Sequence, residues 1–459
     1  MRFVRVVTAS ALLACSLGSA LVPAIAKVPP EEAAKLGGAD YTCFGAEKKG
    51  SPGGVAAYTG QWVGKWPGMK NEQGYEPGPY ADEKPTITIT SANFKQYLDK
   101  LTEGQKRLFE RYPQHYKMLV YPSHRDFGFP DWTCDVAKKN AVTSELKDDA
   151  RSVTGTGGAT AFPFPKSGLE AIWANKTSFR SWTEKCVCDI ADVYANGSIA
   201  WGRNKFMTMN MMNNPKADPR PSFSEKVQAY FYSGYLLPER DKGFTAVGFA
   251  PNGFVDDATQ AWQYIPGTRR VRQAPEVGYD YPVPPAGLHT TDEDYGFNGS
   301  TERYTWKLIG KKEVFIPYHN FKINDPTLKY KQLTTPNTIN PDFVRYELHR
   351  VYVIEASLRE GFRHQYKKRQ IYMDEDSLQI MWADHYDARD QLWRIAMILY
   401  FYSQESSAHH RGVQVFHDLT AGVYEANNLV NERGNDWWRI NTPMSQAQFT
   451  PESIARGGR

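Results

Sequence analysis

The chain of 459 residues has little of several things that would have narrowed its class at once. It holds only five cysteines, so it is not a small disulfide-dense scaffold. Charge of one sign is missing too: 55 basic residues stand against 51 acidic ones, a formal +4, which gives no electrostatic case for nucleic-acid binding. Long hydrophobic runs are absent beyond the N-terminus, where the longest, Ile395 to Tyr402, is far below the roughly 18 residues that span a bilayer. There is no G-x-S-x-G, H-E-x-x-H or G-x-x-x-x-G-K-[ST], and no fixed-period repeat. Aromatic residues are plentiful instead, with 12 Trp, 27 Tyr and 23 Phe, a composition that favours strands.

The first 26 residues read as a secretory signal. Arg2 and Arg5 precede the apolar stretch Val6 to Leu17, and Ala24-Ile25-Ala26 supplies small residues for cleavage before Lys27. Cys15 loosely resembles a lipoprotein cleavage box, but cutting there leaves an unusually short signal, so export without an anchor is expected. Export leaves Cys43, Cys134, Cys186 and Cys188 in an oxidising compartment, where disulfides are possible. Cys186 with Cys188 is the least expected pair, because alternate strand residues lie too far apart for easy closure. Each is expected to pair, if at all, with Cys43 or Cys134. The C-x-C spacing lacks matching histidines for zinc, and neither a metal nor a cofactor is expected.

Residues 27–85, rich in Gly, Pro and Lys, read as an extended N-terminal arm pinned by its aromatics, and 86–459 as one domain. Helical spacing follows from Ser91 to Tyr112, then less regularly from Asp131 to Asp148. Ser167 and Glu170 have capping-box spacing before a third helix. From about 185 to 430 roughly a dozen short aromatic and β-branched runs appear, separated by turns. Lys307 to Lys312 and Asp418 to Gly422 read as hairpin turns. The fold class is therefore mainly β with some α: a curved antiparallel sheet, open as a half-barrel and covered by a few helices. In Val344 to Leu358 one face is mostly apolar, while Arg345, Glu347 and His349 mark the other. With Arg350, these read as cross-strand ion pairs or contacts to a lipid headgroup. Arg269, Arg270 and Arg272, and Lys367, Lys368 and Arg369, read as salt-bridged or solvated faces. Asp374, Glu375, Asp376, Asp384, His385, Asp387 and Asp390 read as solvated loop, with cation binding as the alternative.

Ordered strings then carry a resemblance. They are Gly157-Gly158 with Phe162-Pro163-Phe164-Pro165, Trp262-Gln263-Tyr264-Ile265-Pro266-Gly267 leading to Ala274-Pro275, Phe297-Asn298-Gly299-Ser300, and Ile316-Pro317-Tyr318. Arg345 to Val351 and Tyr372 to Asp376 complete them. Together they resemble the proteobacterial secreted family known as domain of unknown function 1329, which is similar to the LolA and LolB superfamily of periplasmic lipoprotein carriers. His319 stands where that pattern carries Asn, and Cys186 and Cys188 are outside it. The resemblance implies a helix-covered half-barrel, a periplasmic location, and hydrophobic cargo moved between partners such as an outer-membrane protein and an exporter of the resistance-nodulation-division type. It implies no catalytic residue.

A carrier needs only an apolar trough, since about 14 buried methylenes gain on the order of 11 kcal/mol, comparable with the roughly 4–15 kcal/mol cost of association. The expected wall residues are Phe231, Tyr235, Trp262, Tyr264, Trp306, Phe315, Tyr346 and Tyr352, with the Ser167 helix as part of a movable lid. An adaptor that carries nothing, docking through the arginines around Val271, and an envelope enzyme are the alternatives.

Overall fold

In a computed structural model of the chain, residues 27–70, 74–255, 259–274, 280–434 and 437–457 are described. The secretory signal and Cys15 lie outside them. Six helices run α1 (Pro30–Ala33), α2 (Glu103–Arg111), α3 (Asp131–Thr143), α4 (Gly168–Lys176), α5 (Tyr330–Leu333) and α6 (Pro451–Gly457). The strands before residue 280 are β1 (Ile87–Ile89), β2 (Met118–Val120), β3 (Leu146–Lys147), β4 (Ser152–Val153), β5 (Thr183–Val193), β6 (Ile199–Asn210), β7 (Val227–Leu237), β8 (Thr245–Pro251), β9 (Gln260–Ile265) and β10 (Arg270–Gln273). After it come β11 (Tyr304–Pro317), β12 (Arg345–Leu358), β13 (Lys368–Asp374), β14 (Ile380–Tyr386), β15 (Leu392–Ser403), β16 (Ala408–Asp418), β17 (Val423–Leu429) and β18 (Arg439–Ile440).

Sixteen strands share one sheet. Neighbours in the chain pair antiparallel from β11 through β17; β17 then pairs with β5, and the order continues to β10. Among the described residues β10 pairs only with β9, and β11 only with β12, so the curved sheet stays open. Apolar side chains leave both faces of its central strands, and each face has its own cover. One core lies under the N-terminal arm and α2, joining Trp62, Trp66, Leu108 and Phe109 to Val353, Trp382 and Met397. The other lies under α3 and α4, joining Ile172, Trp173 and Phe179 to Ile354, Ile371 and Phe416. Central strands therefore read as continuous hydrophobic runs, as Ile395 to Tyr402 does.

The helical caps follow their sequence signals. Thr102 Oγ1 accepts from Gln105 N and Gln105 Oε1 from Thr102 N, both at 3.0 Å, while Gln105 Nε2 donates to Phe315 O and ties α2 to β11. This cap splits the helical period that runs from Ser91 into a 3₁₀ segment, Phe94–Lys100, and α2. Ser167 Oγ caps α4 by accepting from Glu170 N at 3.1 Å. Helix α4 is not a free lid: eight of its nine residues, all but Leu169, are buried against the sheet.

Three expectations are corrected. Lys307 to Lys312 is no hairpin turn; β11 runs straight through it, with a bulge between Leu308 and Gly310. Gly310, at φ +140°, takes up the extra residue, and Ile309 points to solvent. The cysteines form Cys43–Cys134 and, against expectation, Cys186–Cys188. The Cα atoms of Cys186 and Cys188 are 5.7 Å apart, shorter than the roughly 6.6 Å of two extended residues, and this contraction moves them from the edge of the disulfide range to its commonest separation. Finally, Asp374, Glu375, Asp376, Asp384 and His385 are fully buried rather than solvated; only Asp387 and Asp390 of that set are outside.

Candidate functional site

The acidic and basic strand residues fall into pairs with distant elements. Arg345 bridges Glu347 (2.6 Å) and Glu83 (2.7 Å), and Arg350 and Lys311 hold Glu375. Asp384 caps α2, accepting from Gly104 N and from Trp382 Nε1, and burial pushes its carboxyl up to about 7. His385, on the opposite face of β14, meets Glu293 at 2.9 Å and stacks on Tyr366. The sequence neighbours Asp384, His385, Asp387 and Asp390 thus never assemble into one cation site. Lys367 pairs with Asp390 and Arg369 with Asp292, whereas Arg269, Arg270 and Arg272 are exposed.

A cavity of about 230 Å³ opens on the α4 face. Register sets Cys188, Asn204 and Tyr235 side by side on β5, β6 and β7, forming its floor with Ile190 and Phe206. Phe416 and Gln414 of β16 form one wall, and Val283, Pro284 and the segment His289–Asp294 form the roof. Its lining mixes two chemistries. Ile190, Phe206, Tyr235, Val283, Pro284 and Phe416 supply apolar surface, and His289, Glu293, Asp294, Arg411, Gln414, Asn427 and Asn428 supply polar groups among them, His289 lying on Phe416 and Arg411 over Phe206.

The polar groups are held from beneath. His289 stacks on Phe416 at 4.2 Å and presents Nδ1 to Glu425 Oε1 at 3.2 Å. Across the β17–β5 pair, Glu425 faces Asp192. Burial, and next the Glu425 charge, push the Asp192 carboxyl up to about 8, while Glu425 overcomes burial and raises His289. Glu293 accepts from Thr290 N and from Tyr366 Oη, and despite burial the charges of His385 and Arg369 hold it well below the usual carboxylate range. Arg411 pairs with Asp294, and its guanidinium lies over Tyr295 (4.0 Å) and Phe206 (5.2 Å); burial lowers it to about 10. The roof is therefore fastened to the sheet by charge pairs, buried at His289–Glu425 and Glu293–His385 and part-exposed at Asp294–Arg411.

A wider cleft of about 430 Å³ lies between β6 and α5, lined by Asp189, Trp201, Arg203, Leu237, Tyr330, Lys331 and Arg433. Asp189 already holds Arg203 (2.6 Å), Arg433 (2.8 Å) and Tyr330 Oη (2.7 Å), so its charged groups are paired with one another, while Trp201, Leu237 and Tyr330 give the cleft an apolar wall.

Of the eight expected wall residues, Tyr235 lines the α4-face cavity. Phe231 is half-buried nearby on β7, between Thr208 and Gly248. Trp306 packs on Phe297 under α4, and Tyr352 belongs to the same core. Phe315 and Tyr346 lie in the core beneath the arm, where Tyr346 Oη meets Met397 Sδ at 3.2 Å. Trp262 and Tyr264 sit against Ile454 of α6. The eight are thus divided among three layers. Missing from the expected set were His289, Arg411 and Gln414. For Arg411 and Gln414 the signal lies in β16, which sets His409, His410, Arg411, Gln414 and His417 into a strand buried at every position; His289, outside any strand, carries no such signal.

Comparison with known proteins completes the picture. The family model described as "Protein of unknown function (DUF1329)" matches residues 88–455. An uncharacterised protein of Pseudomonas aeruginosa is 37% identical over 462 residues, covering 100% of both chains. Among solved structures, a DUF1329 family protein from Desulfovibrio piger is 14% identical, covering 60% of this chain and 92% of its own at a TM-score of 0.38. A LolA superfamily protein from Nitrosomonas europaea is 9% identical, covering 62% and 98% at a TM-score of 0.36. Both likenesses are too distant to argue from. By the family match and its full-length relative, the chain belongs to the DUF1329 family.

Proposed function

We propose that the protein is a non-catalytic binding protein of the bacterial envelope that carries an amphipathic molecule in the α4-face trough. The observation that carries this reading is a cavity whose lining combines aromatic and aliphatic side chains with polar groups, His289 and Arg411 among them, each held in place by a carboxylate. Disulfides Cys43–Cys134 and Cys186–Cys188 suit an oxidising compartment, and the N-terminal segment suits export to the periplasm. No helix of the described residues is long and apolar enough to cross a membrane.

Size and charge limit the cargo. At about 230 Å³ the cavity is below the roughly 300–1,000 Å³ typical of drug-sized ligands, so it takes one end of a lipid or lipoprotein-like molecule. About eight buried methylenes give about 6 kcal/mol, near the lower bound of association costs, so the head must contribute hydrogen bonds. The carboxylates around it are already paired, Glu425 with His289, Glu293 with His385 and Asp294 with Arg411, which favours an uncharged head over an ionic one.

Mass spectrometry of an organic extract of the purified protein, with displacement of Nile red by a monoacylglycerol, tests the reading. Phe206→Ala and Tyr235→Ala should each weaken displacement about tenfold, a loss of about 1.4 kcal/mol, while Trp262→Ala beneath α6 leaves it unchanged. No co-extracted amphiphile and no displacement would overturn it. A second reading rests on the exposed Arg269, Arg270 and Arg272 at the open β10 edge: an adaptor for an outer-membrane protein or exporter of the resistance-nodulation-division type. Complementation lost in Arg270→Ala with lipid displacement intact would favour it.

A further inference from the structure

Beneath the N-terminal arm, β12 and the turn from β13 to β14 enclose a second polar centre that the trough does not use. We propose that His349, Asp374 and Asp376 form a buried site for one divalent transition-metal ion of the Zn²⁺ class, fastening that turn to β12. One donor atom from each of the three lies within 4.8 Å of the other two, and all three residues are buried to 1% exposure or less.

Two of the three donors are oriented from behind and left without a partner. His349 Nε2 lies 3.2 Å from Glu347 Oε2, and the ring stacks on Tyr318 at 3.8 Å. With the Nε2 proton given to Glu347, the free lone pair is on Nδ1, which is buried and has no hydrogen-bond partner. A carboxylate behind an imidazole is the arrangement that fixes the tautomer of a metal-bound histidine. Asp374 Oδ2 accepts from Ser377 N (2.9 Å), Ser377 Oγ (2.6 Å) and Tyr318 Oη (3.2 Å), which leaves Oδ1 buried and unpartnered. Asp376 is held through both oxygens by Arg125, each at 2.7 Å, and each oxygen keeps a second lone pair.

A lone pair of imidazole and a carboxylate oxygen, brought together in a dry interior with no donor between them, are costly unless a proton or a cation joins them, and a divalent ion engages both atoms and Asp376 at once. One nitrogen and two carboxylates suit Zn²⁺, Co²⁺ or Mn²⁺ better than Ca²⁺. Donors up to 4.8 Å apart close by about 1 Å to reach bonds of roughly 2.0–2.2 Å. Neighbouring cations are already engaged, Arg345 with Glu347, and Arg350 and Lys311 with Glu375. Because the centre is sealed by the arm, through Arg125 donating to Glu47 O and Ala56 O, the ion enters as the chain folds.

The untagged mature chain, unfolded with chelator and refolded in metal-free buffer with Zn²⁺, with Co²⁺ or with neither, provides the test. Elemental analysis after desalting should find about one equivalent bound, with a higher Tm and, for Co²⁺, visible absorption bands. His349→Gln and Asp374→Asn should each lower the bound ion at least about tenfold. Should a variant fail to refold, the wild-type chain refolded with and without ion still decides the question. Equal Tm without bound ion in the wild type, or full retention of the ion in both variants, overturns the proposal.

Discussion

Asp192 shows how a single buried side chain sets a measurable property of the whole protein. It is fully buried on β5, faces Glu425 on β17, and lies near His289 of the roof. Its carboxyl, pushed up to about 8, keeps in the folded state a proton that the unfolded chain has lost above pH 4. The folded state then binds more protons than the unfolded one, so stability falls as pH rises from about 4 to about 8. His289, raised by Glu425, adds to the same slope: its stabilisation is present below pH 6.5 and is lost as pH climbs past its folded value. One such group contributes at most about 1.4 kcal/mol per pH unit. Asp192→Asn should therefore flatten the decline in urea midpoint between pH 5 and pH 8. Parallel profiles for variant and wild type would remove Asp192 from the account.

At the scale of elements, α4 shows how closely helix and sheet are fitted. A Cβ on Gly168 would fall 2.5 Å from the carbonyl carbon of Trp306 and 2.6 Å from Lys307 N, both backbone atoms of β11 that cannot swing aside. Gly168→Ala should cost about 1–3 kcal/mol, read as a lower urea midpoint, although alanine is the better helix former. An unchanged midpoint would mean that α4 rides freely on the sheet. The helix itself was legible, because Ser167 and Glu170 advertise a cap through local hydrogen bonds. What escaped were features decided across the sequence. Gly310 looks like a turn until β12 is seen pairing along the full length of β11, and the Asp374–Asp376 run looks solvated until Arg125, 251 residues from Asp376, arrives to pair it. The same limit applies to the trough. Tyr235 was legible as an aromatic on a curved strand, but the division of the eight wall residues among three layers depends on what covers each face, and neither the arm nor α6 shows its docking position in its own pattern.

For the molecule as a whole, the two disulfides act on different lengths of chain. Cys43–Cys134 ties the arm to α3 across 91 residues and so encloses most of what covers one face of the sheet. Cys186–Cys188 closes a loop of only two residues of separation within β5. Since a cross-link stabilises mainly by restricting the unfolded chain, the long loop is worth about 4–5 kcal/mol and the short one less than about 2 kcal/mol. Through the arm, the first bridge also keeps Trp62 and Trp66 buried against Phe321 and Tyr402, and keeps Glu47 and Ala56 on Arg125. Replacing Cys43 and Cys134 by serine should therefore lower the urea midpoint more than replacing Cys186 and Cys188, and should raise hydrogen exchange along β12 as well as in the arm. Equal losses from the two double variants would mean that packing and the Arg125 hydrogen bonds, not the bridge, hold the arm on the sheet.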